Sequence, residues 1–205
     1  MKKVFIAMSV FAVVALAATP ALAQGANRKP SQAENANSPV PGKPGNLNIV
    51  EIAVATNQAL GEFDYLLGAI GCLTDEATGS NPVVELLSGS DMYTVFAPID
   101  DAFIALQQAL GITTPSPEAT CALGNETVFN VLAYHVTAGR RFSNSVFNAQ
   151  NPKMIEMLNG GYVTANPDVT LTDFAGQSVG IVAPLFDINA KNGVIHVINT
   201  VLLPF

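Results

Sequence analysis

Few side chains in this sequence can move a proton near neutral pH: there are two histidines, His135 and His196, and two cysteines, Cys72 and Cys121. Histidine titrates in that range, so His135 and His196 are the candidate proton shuttles or metal ligands. Neither stands in a pattern that would use it so. The chain has no His-Glu-x-x-His, no phosphate-cradling glycine loop and no Cys-x-x-Cys pair. Such patterns bring a nucleophile, a base and an orienting group, or a set of metal ligands, to one point. Metal ligation by the two histidines would need carboxylates drawn from distant parts of the chain. The acidic pairs Asp75-Glu76 and Asp100-Asp101 lack the alternating Asp/Asn/Gly spacing of a calcium loop and read as a solvated face. These residues predict no catalytic site, no cofactor and no metal.

The cysteines read differently once the N-terminus is considered. Lys2 and Lys3 precede an apolar run from Val4 to Ala18 in which Ser9 is the one polar residue. Thr19-Pro20 ends the run, and Ala21-Leu22-Ala23 puts small residues before Gln24. This is the pattern of a secretory signal peptide over residues 1–23, cleaved after Ala23. The run is short of the roughly 20 residues that span a bilayer, and no later run is long enough. The protein is expected to be exported, to a periplasm or to the extracellular space, where thiols meet oxidising conditions. Two cysteines are too few for a structural zinc site, so a Cys72–Cys121 disulfide is favoured over two free thiols. Closing a loop of about fifty residues would contribute roughly 4 kcal/mol on the chain-entropy model.

Residues 24–46 are rich in Pro, Gly, Asn and Ser and read as a flexible linker. Residues 47–205 have the length of one domain with its own core. Charge is scarce, 12% of residues against roughly 25% in average domains. Within 47–205, Arg140, Arg141, Lys153 and Lys191 face fifteen carboxylates, a net −11. That balance repels phosphate and excludes a nucleic-acid partner. The mean hydropathy of +0.36 owes part of its size to the signal peptide.

The first half of the domain carries helical periods. Ile49, Ile52, Ala53 and Thr56 share a face, as do Phe63, Leu66, Leu67 and Ile70. Asn81-Pro82 opens a short helix through Val84 and Leu87 that Gly89 stops. Phe103, Leu106 and Leu110 make another face, and a fifth helix from Glu126 to Tyr134 turns Phe129 and Leu132 inward. The second half changes period: Met154–Leu158 and Tyr162–Thr164 flank Asn159-Gly160-Gly161, a hairpin signal. Val169–Thr172, Ser178–Val182 and Val194–Leu203 read as further strands, and the isolated strand Tyr93–Ala97 must pair with them. Helices first and strands later indicate an α+β fold with an antiparallel sheet. In the last strand His196 alternates with apolar residues, which predicts a hydrogen-bonded, partly buried ring. Asp100 is expected to cap the helix that it begins.

Three segments together resemble the fasciclin domain family: TVFAPIDDAF (Thr94–Phe103), the Tyr134-His135 pair in LAYHVTAG, and NGVIHVINTVLLP (Asn192–Pro204). They stand in the family's order and spacing and span the domain. The resemblance implies a helical N-terminal half packed on a mainly antiparallel β-sandwich or wedge. It implies a non-catalytic adhesion or surface-interaction module whose partner is an extracellular protein or a matrix or polysaccharide surface. Tyr134 and His135 match a motif that is structural and has been linked to adhesion in animal members. Asp187-Ile188 stands where animal members carry an Asp-Ile pair implicated in receptor binding; read on the residues alone, Ile188 is a strand residue packed inward and Asp187 is solvated. These four residues are therefore the candidate partner-binding positions. The alternative is a periplasmic binder of a small apolar or polysaccharide ligand.

Overall fold

Each helix begins where the sequence offers something to its free amides. The computed structural model describes residues 46–205; the expected signal peptide and all but the last residue of the linker lie outside the described residues. Helix α1 (Ile49–Leu60) opens on a capping box. The Asn48 side chain accepts from the Glu51 amide and Glu51 accepts from the Asn48 amide. It buries Ile49, Ile52, Ala53 and Thr56, the stripe the period predicts, and stops at Gly61. Helices α2 (Asp64–Gly71), α3 (Pro82–Ser88), α4 (Asp100–Ala109) and α5 (Asn125–Ala133) follow, with Asn81 capping α3. Three expected faces shift. Helix α3 buries Val83 with Leu87, not Val84; α5 buries Val128 with Leu132 and leaves Phe129 exposed; Leu110 lies past the end of α4 and is exposed. A two-turn helix offers two apolar phases one residue apart, and packing selects between them.

Two four-stranded sheets lie beyond the helices. The first has the order β2-β1-β8-β7, from β1 (Tyr93–Pro98), β2 (Val136–Ala138), β7 (Ile188–Ala190) and β8 (Gly193–Ile198). The second has the order β3-β4-β5-β6, from β3 (Lys153–Glu156), β4 (Tyr162–Ala165), β5 (Thr170–Thr172) and β6 (Ser178–Gly180). The second is antiparallel throughout, with the expected hairpin between β3 and β4. The first is mixed, because β1 pairs in parallel with β8 from Tyr93 opposite Gly193 to Pro98 opposite Ile198. The last strand stops at Ile198, short of Leu203. Strands β2 and β7, a 3₁₀ helix (Pro117–Leu123) and helix α6 (Ser143–Val146) have no counterpart in the sequence reading. The two strands and α6 have three or four residues each, too few to display a period.

Strands β1 and β8 are buried at every position. Tyr93, Val95 and Ala97 of β1, with Ile195 and Val197 of β8, face the core beneath the helices. Phe96 and Ile198 face a second core with Ile155, Val163, Leu171 and Val179 of the other sheet. The first sheet is thus the middle of three layers. The closest approach is at Gly193, where a Cβ would lie 2.1 Å from the Tyr93 carbonyl oxygen and 2.7 Å from Ile49 Cδ1. Cys72 and Cys121 form the expected disulfide, with Cα atoms 5.2 Å apart, joining the end of α2 to the 3₁₀ helix. No helix among the described residues is long and apolar enough to cross a membrane.

Substituting Gly193→Ala should therefore cost about 3 kcal/mol or more, because backbone rather than a flexible side chain must move. At Gly71 an added Cβ meets nothing, so Gly71→Ala should be neutral or stabilising by up to about 1 kcal/mol. Urea unfolding of the two variants beside the wild type checks the contrast.

Candidate functional site

The polar residues that the sequence singles out are committed to backbone groups of distant segments. Asp100 does not cap its own helix: Ile99 holds that position, and no side chain bonds there. The Asp100 carboxylate instead accepts from the amides of Tyr65 at 2.9 Å and Asp64 at 3.3 Å, capping the start of α2 from a neighbouring helix. The Asp100 amide returns a bond to the Glu62 carbonyl. A residue at the first helical position points its side chain outward to a neighbour, and here that neighbour is another helix start. Burial pushes the Asp100 carboxyl up from its ordinary value, against the pull of the two amide donors.

The Tyr134-His135 pair follows the last turn of α5 and is buried. The Tyr134 hydroxyl donates to the Tyr162 carbonyl at 2.7 Å and accepts from the Phe174 amide at 3.0 Å, joining two hairpins of the second sheet. His135 Nδ1 donates to the Val131 carbonyl at 2.7 Å, which leaves Nε2 to accept from the Leu202 amide at 2.9 Å. Burial lowers this imidazole to about 4, against the carbonyl bond and the charge of Asp173. His135 is therefore neutral at pH 7.

Asp187 and His196 form a third junction. His196 is fully buried, stacked on Phe96 at 5.6 Å between ring centres. Its Nε2 donates to the Arg141 carbonyl at 2.9 Å, and its Nδ1 accepts from the Asp187 amide at 3.3 Å. Burial lowers its pKa. The Asp187 carboxylate accepts from the Ser143 amide at 2.6 Å and from the Ser143 hydroxyl at 2.5 Å. Ile188 is buried in the core beneath the helices. Of the four candidate partner-binding residues, three are thus shut away from solvent, and Asp187 spends its carboxylate on Ser143.

Ser143, Asp187 and His196 have the residue types of a hydrolytic triad without its connections. The serine hydroxyl bonds to the carboxylate, and both histidine nitrogens are occupied by backbone, so no base serves the serine oxygen. Gly176–Gly180 spell Gly-x-Ser-x-Gly, a nucleophile pattern not expected from the motifs above. That spelling needs a strand-to-helix turn, whereas Ser178 lies in β6, paired with Thr172 in an antiparallel hairpin. Among the described residues no group of three or more His, Cys, Asp or Glu side chains could hold a metal ion.

Exposed apolar surface was the other feature missed. A cleft of about 380 Å³ beside Asp187 is lined by Ser143, Asn144, Phe147, Val169, Ile181 and Phe186 among others, with no charged side chain. Val169 is 49% and Phe186 42% exposed. An open groove of about 720 Å³ runs along α5, with Phe129, Leu158 and Phe205 on its walls. Isolated Phe and Val residues in loops carry no period that would have announced either.

A fasciclin domain model matches residues 75–204, which contain all three of the segments singled out above. Protein sll1483 of Synechocystis sp. is 30% identical over 158 residues, 77% of this chain and 74% of its own length. Protein sll1735 of the same organism is 30% identical over 156 residues, 76% of this chain and 97% of its own length. The transforming growth factor-beta-induced protein ig-h3 of Sus scrofa is 33% identical over 129 residues, 62% of this chain and 17% of that protein. Among solved structures, a FAS1 domain pair from the insect cell adhesion molecule fasciclin I matches with a TM-score of 0.54 at 12% identity. That match covers 79% of this chain and 52% of the other, and it is a likeness of fold.

The buried His135 makes stability depend on pH. Its folded pKa of about 4 lies below the ordinary 6.5, so the unfolded chain binds the proton more readily. Its contribution is complete above about pH 6.5 and is lost as pH falls toward 4, a change of about 3 kcal/mol. The stability gap between wild type and His135→Gln should accordingly be widest at pH 7 and close toward pH 4 in urea titrations. A gap independent of pH would contradict the assignment.

Proposed function

The chain belongs to the fasciclin domain family, and on that premise we propose that it is an exported, non-catalytic interaction module that attaches to an extracellular protein or matrix surface. The observation that carries this reading is the uncharged apolar cleft at Val169 and Phe186, set in a domain that is otherwise acidic. Interface centres are enriched in aromatic residues and poor in charge, and the cleft has that composition. The N-terminal pattern of Lys2 to Ala23 and the Cys72–Cys121 disulfide support export. Asp187, Ile188, Tyr134 and His135 then serve the surface from behind. Asp187 fixes the α6 wall of the cleft, Ile188 anchors the adjoining strand, and the Tyr-His pair holds the second sheet against the end of the chain.

A second reading, a binder of small apolar ligands, has one observation in its favour. An apolar cavity of about 120 Å³ lies between α4, α5 and the C-terminal segment, lined by Phe103, Leu106, Val128 and Val131 among others. A cavity of about 150 Å³ holds benzene, so this one accepts no more than a single small ring. The open cleft suits a macromolecular surface better.

Replacing Phe186→Ser or Val169→Ser should lower retention of the folded protein on immobilised matrix and envelope preparations about tenfold, the effect of losing one interface anchor. Glu76→Gln, on an exposed turn, should leave retention unchanged. Equal retention of all three variants and the wild type would remove the cleft from the contact surface.

A further inference from the structure

We propose that Ser143, Asp187 and His196 form a proton-operated clasp: with His196 neutral the Asp187 carboxylate holds Ser143 and α6 in place, and a proton on His196 draws that carboxylate away and frees one wall of the cleft. The inference rests on the reading of the cleft as a contact surface for its purpose, though not for its geometry.

The neutral state is fully specified by hydrogen bonds. His196 Nε2–H donates to the Arg141 carbonyl, so the Nδ1 lone pair is the acceptor for the Asp187 amide at 3.3 Å. The same Asp187 presents Oδ1 to the Ser143 amide and Oδ2 to the Ser143 hydroxyl. Adding a proton from solvent at Nδ1 places one N–H against another, which is repulsive and destroys that bond. The nearest acceptor for the new N–H is Asp187 Oδ1, 3.8 Å away. Closing that gap by about 1 Å makes a charge-assisted hydrogen bond. Oδ1 is the oxygen that holds the Ser143 amide, so drawing it about 1 Å toward the ring stretches the Ser143 bonds.

The backbone at Asp187 is poised for such a choice. Its φ of 57° is a left-handed conformation that costs a non-glycine residue of order 1 kcal/mol or more and persists only where neighbours hold it. Those neighbours are the His196 ring and Ser143. Among the charged groups near the ring, Asp187 is the one that faces it. Arg141 presents its carbonyl there and sends its guanidinium to the Ala138 carbonyl, while β1 presents Phe96. Burial sets the ring below its ordinary pKa of 6.5, with Asp187 pulling the other way. Ser143, Asn144 and Phe147 line the same cleft as Phe186, so releasing Ser143 loosens one wall of that cleft.

The clasp is read by nuclear magnetic resonance on the whole protein, titrated from pH 8 to pH 5. The His196 ring signals and the Ser143 and Asp187 amides should shift with one shared midpoint below 6.5. Amide protection at Ser143, corrected for intrinsic rates, should fall about tenfold or more across it. In Asp187→Asn the side-chain oxygen still accepts from Ser143 but has no charge to offer an imidazolium, so Ser143 should stay protected throughout. In His196→Gln the step at Ser143 should vanish. A His196 ring that stays neutral to pH 5, a ring that titrates while Ser143 does not respond, or a step that survives in either variant would overturn the proposal. If His196→Gln does not fold, Asp187→Asn decides alone. The readout needs no partner, so failure of the clasp leaves the contact surface standing, and a surface that fails its retention test leaves the clasp intact.

Discussion

Strand β8 must be buried on both faces, and most of the structure answers to that requirement. Its alternation of Ile195 and Val197 on one side with His196 and Ile198 on the other serves two cores at once. Its parallel partner β1 does the same. A parallel pair cannot be closed by a tight turn, so more than half of the described domain, from Pro98 to Gly193, is a single excursion between two adjacent strands. The close contact at Gly193, where the pair begins, leaves no room for a side chain.

An excursion of that length ends in buried polar backbone that strands and helices cannot satisfy by themselves. Unpaired groups of this kind cost about 1–3 kcal/mol each, and long-range side chains meet them. Asn192 illustrates the device: its Oδ1 accepts from the Ile49 amide at the start of α1, and its Nδ2 donates to the Leu87 and Gly89 carbonyls at the end of α3. Asp100 does the same for α2, Asp187 for α6, His135 for the C-terminal segment, and Asp173 for the Leu203 amide. The segments by which the family is recognised are thus largely the segments that tie chain excursions back to the β1–β8 pair. Their residue types are fixed by hydrogen-bond geometry, and the exposed apolar surface at Phe186 and Val169 lies elsewhere.

This division explains what the sequence made legible. The α1 stripe, the hairpin at Asn159-Gly160-Gly161, the two-faced last strand and the disulfide follow from periods, turn residues and cysteine count, which are local properties. The parallel pairing of β1 with β8 and the pairing of β2 with β1 depend on partners far along the chain, whereas β7, paired with the adjacent β8, is too short to display a period. Asp100 was expected to cap its own helix because the nearest amides in sequence belong to that helix; its true donors, Asp64 and Tyr65, are brought to it by tertiary packing. Tyr134 and His135 stood out by resemblance, and nothing local revealed their burial, whereas the inward packing of Ile188 follows from its place in a strand. The exposed cleft was invisible because loop residues such as Val169 and Phe186 carry no pattern.

Native-state hydrogen exchange resolved by residue tests the central place of the β1–β8 pair most directly. If this pair holds the domain together, the amides of Val95, Ala97, Ile195 and Val197 should open only with global unfolding, and should outlast those of β3 to β6. Slower exchange in the β4–β5 hairpin than in β1 and β8 would contradict the claim and place the organising core in the second sheet.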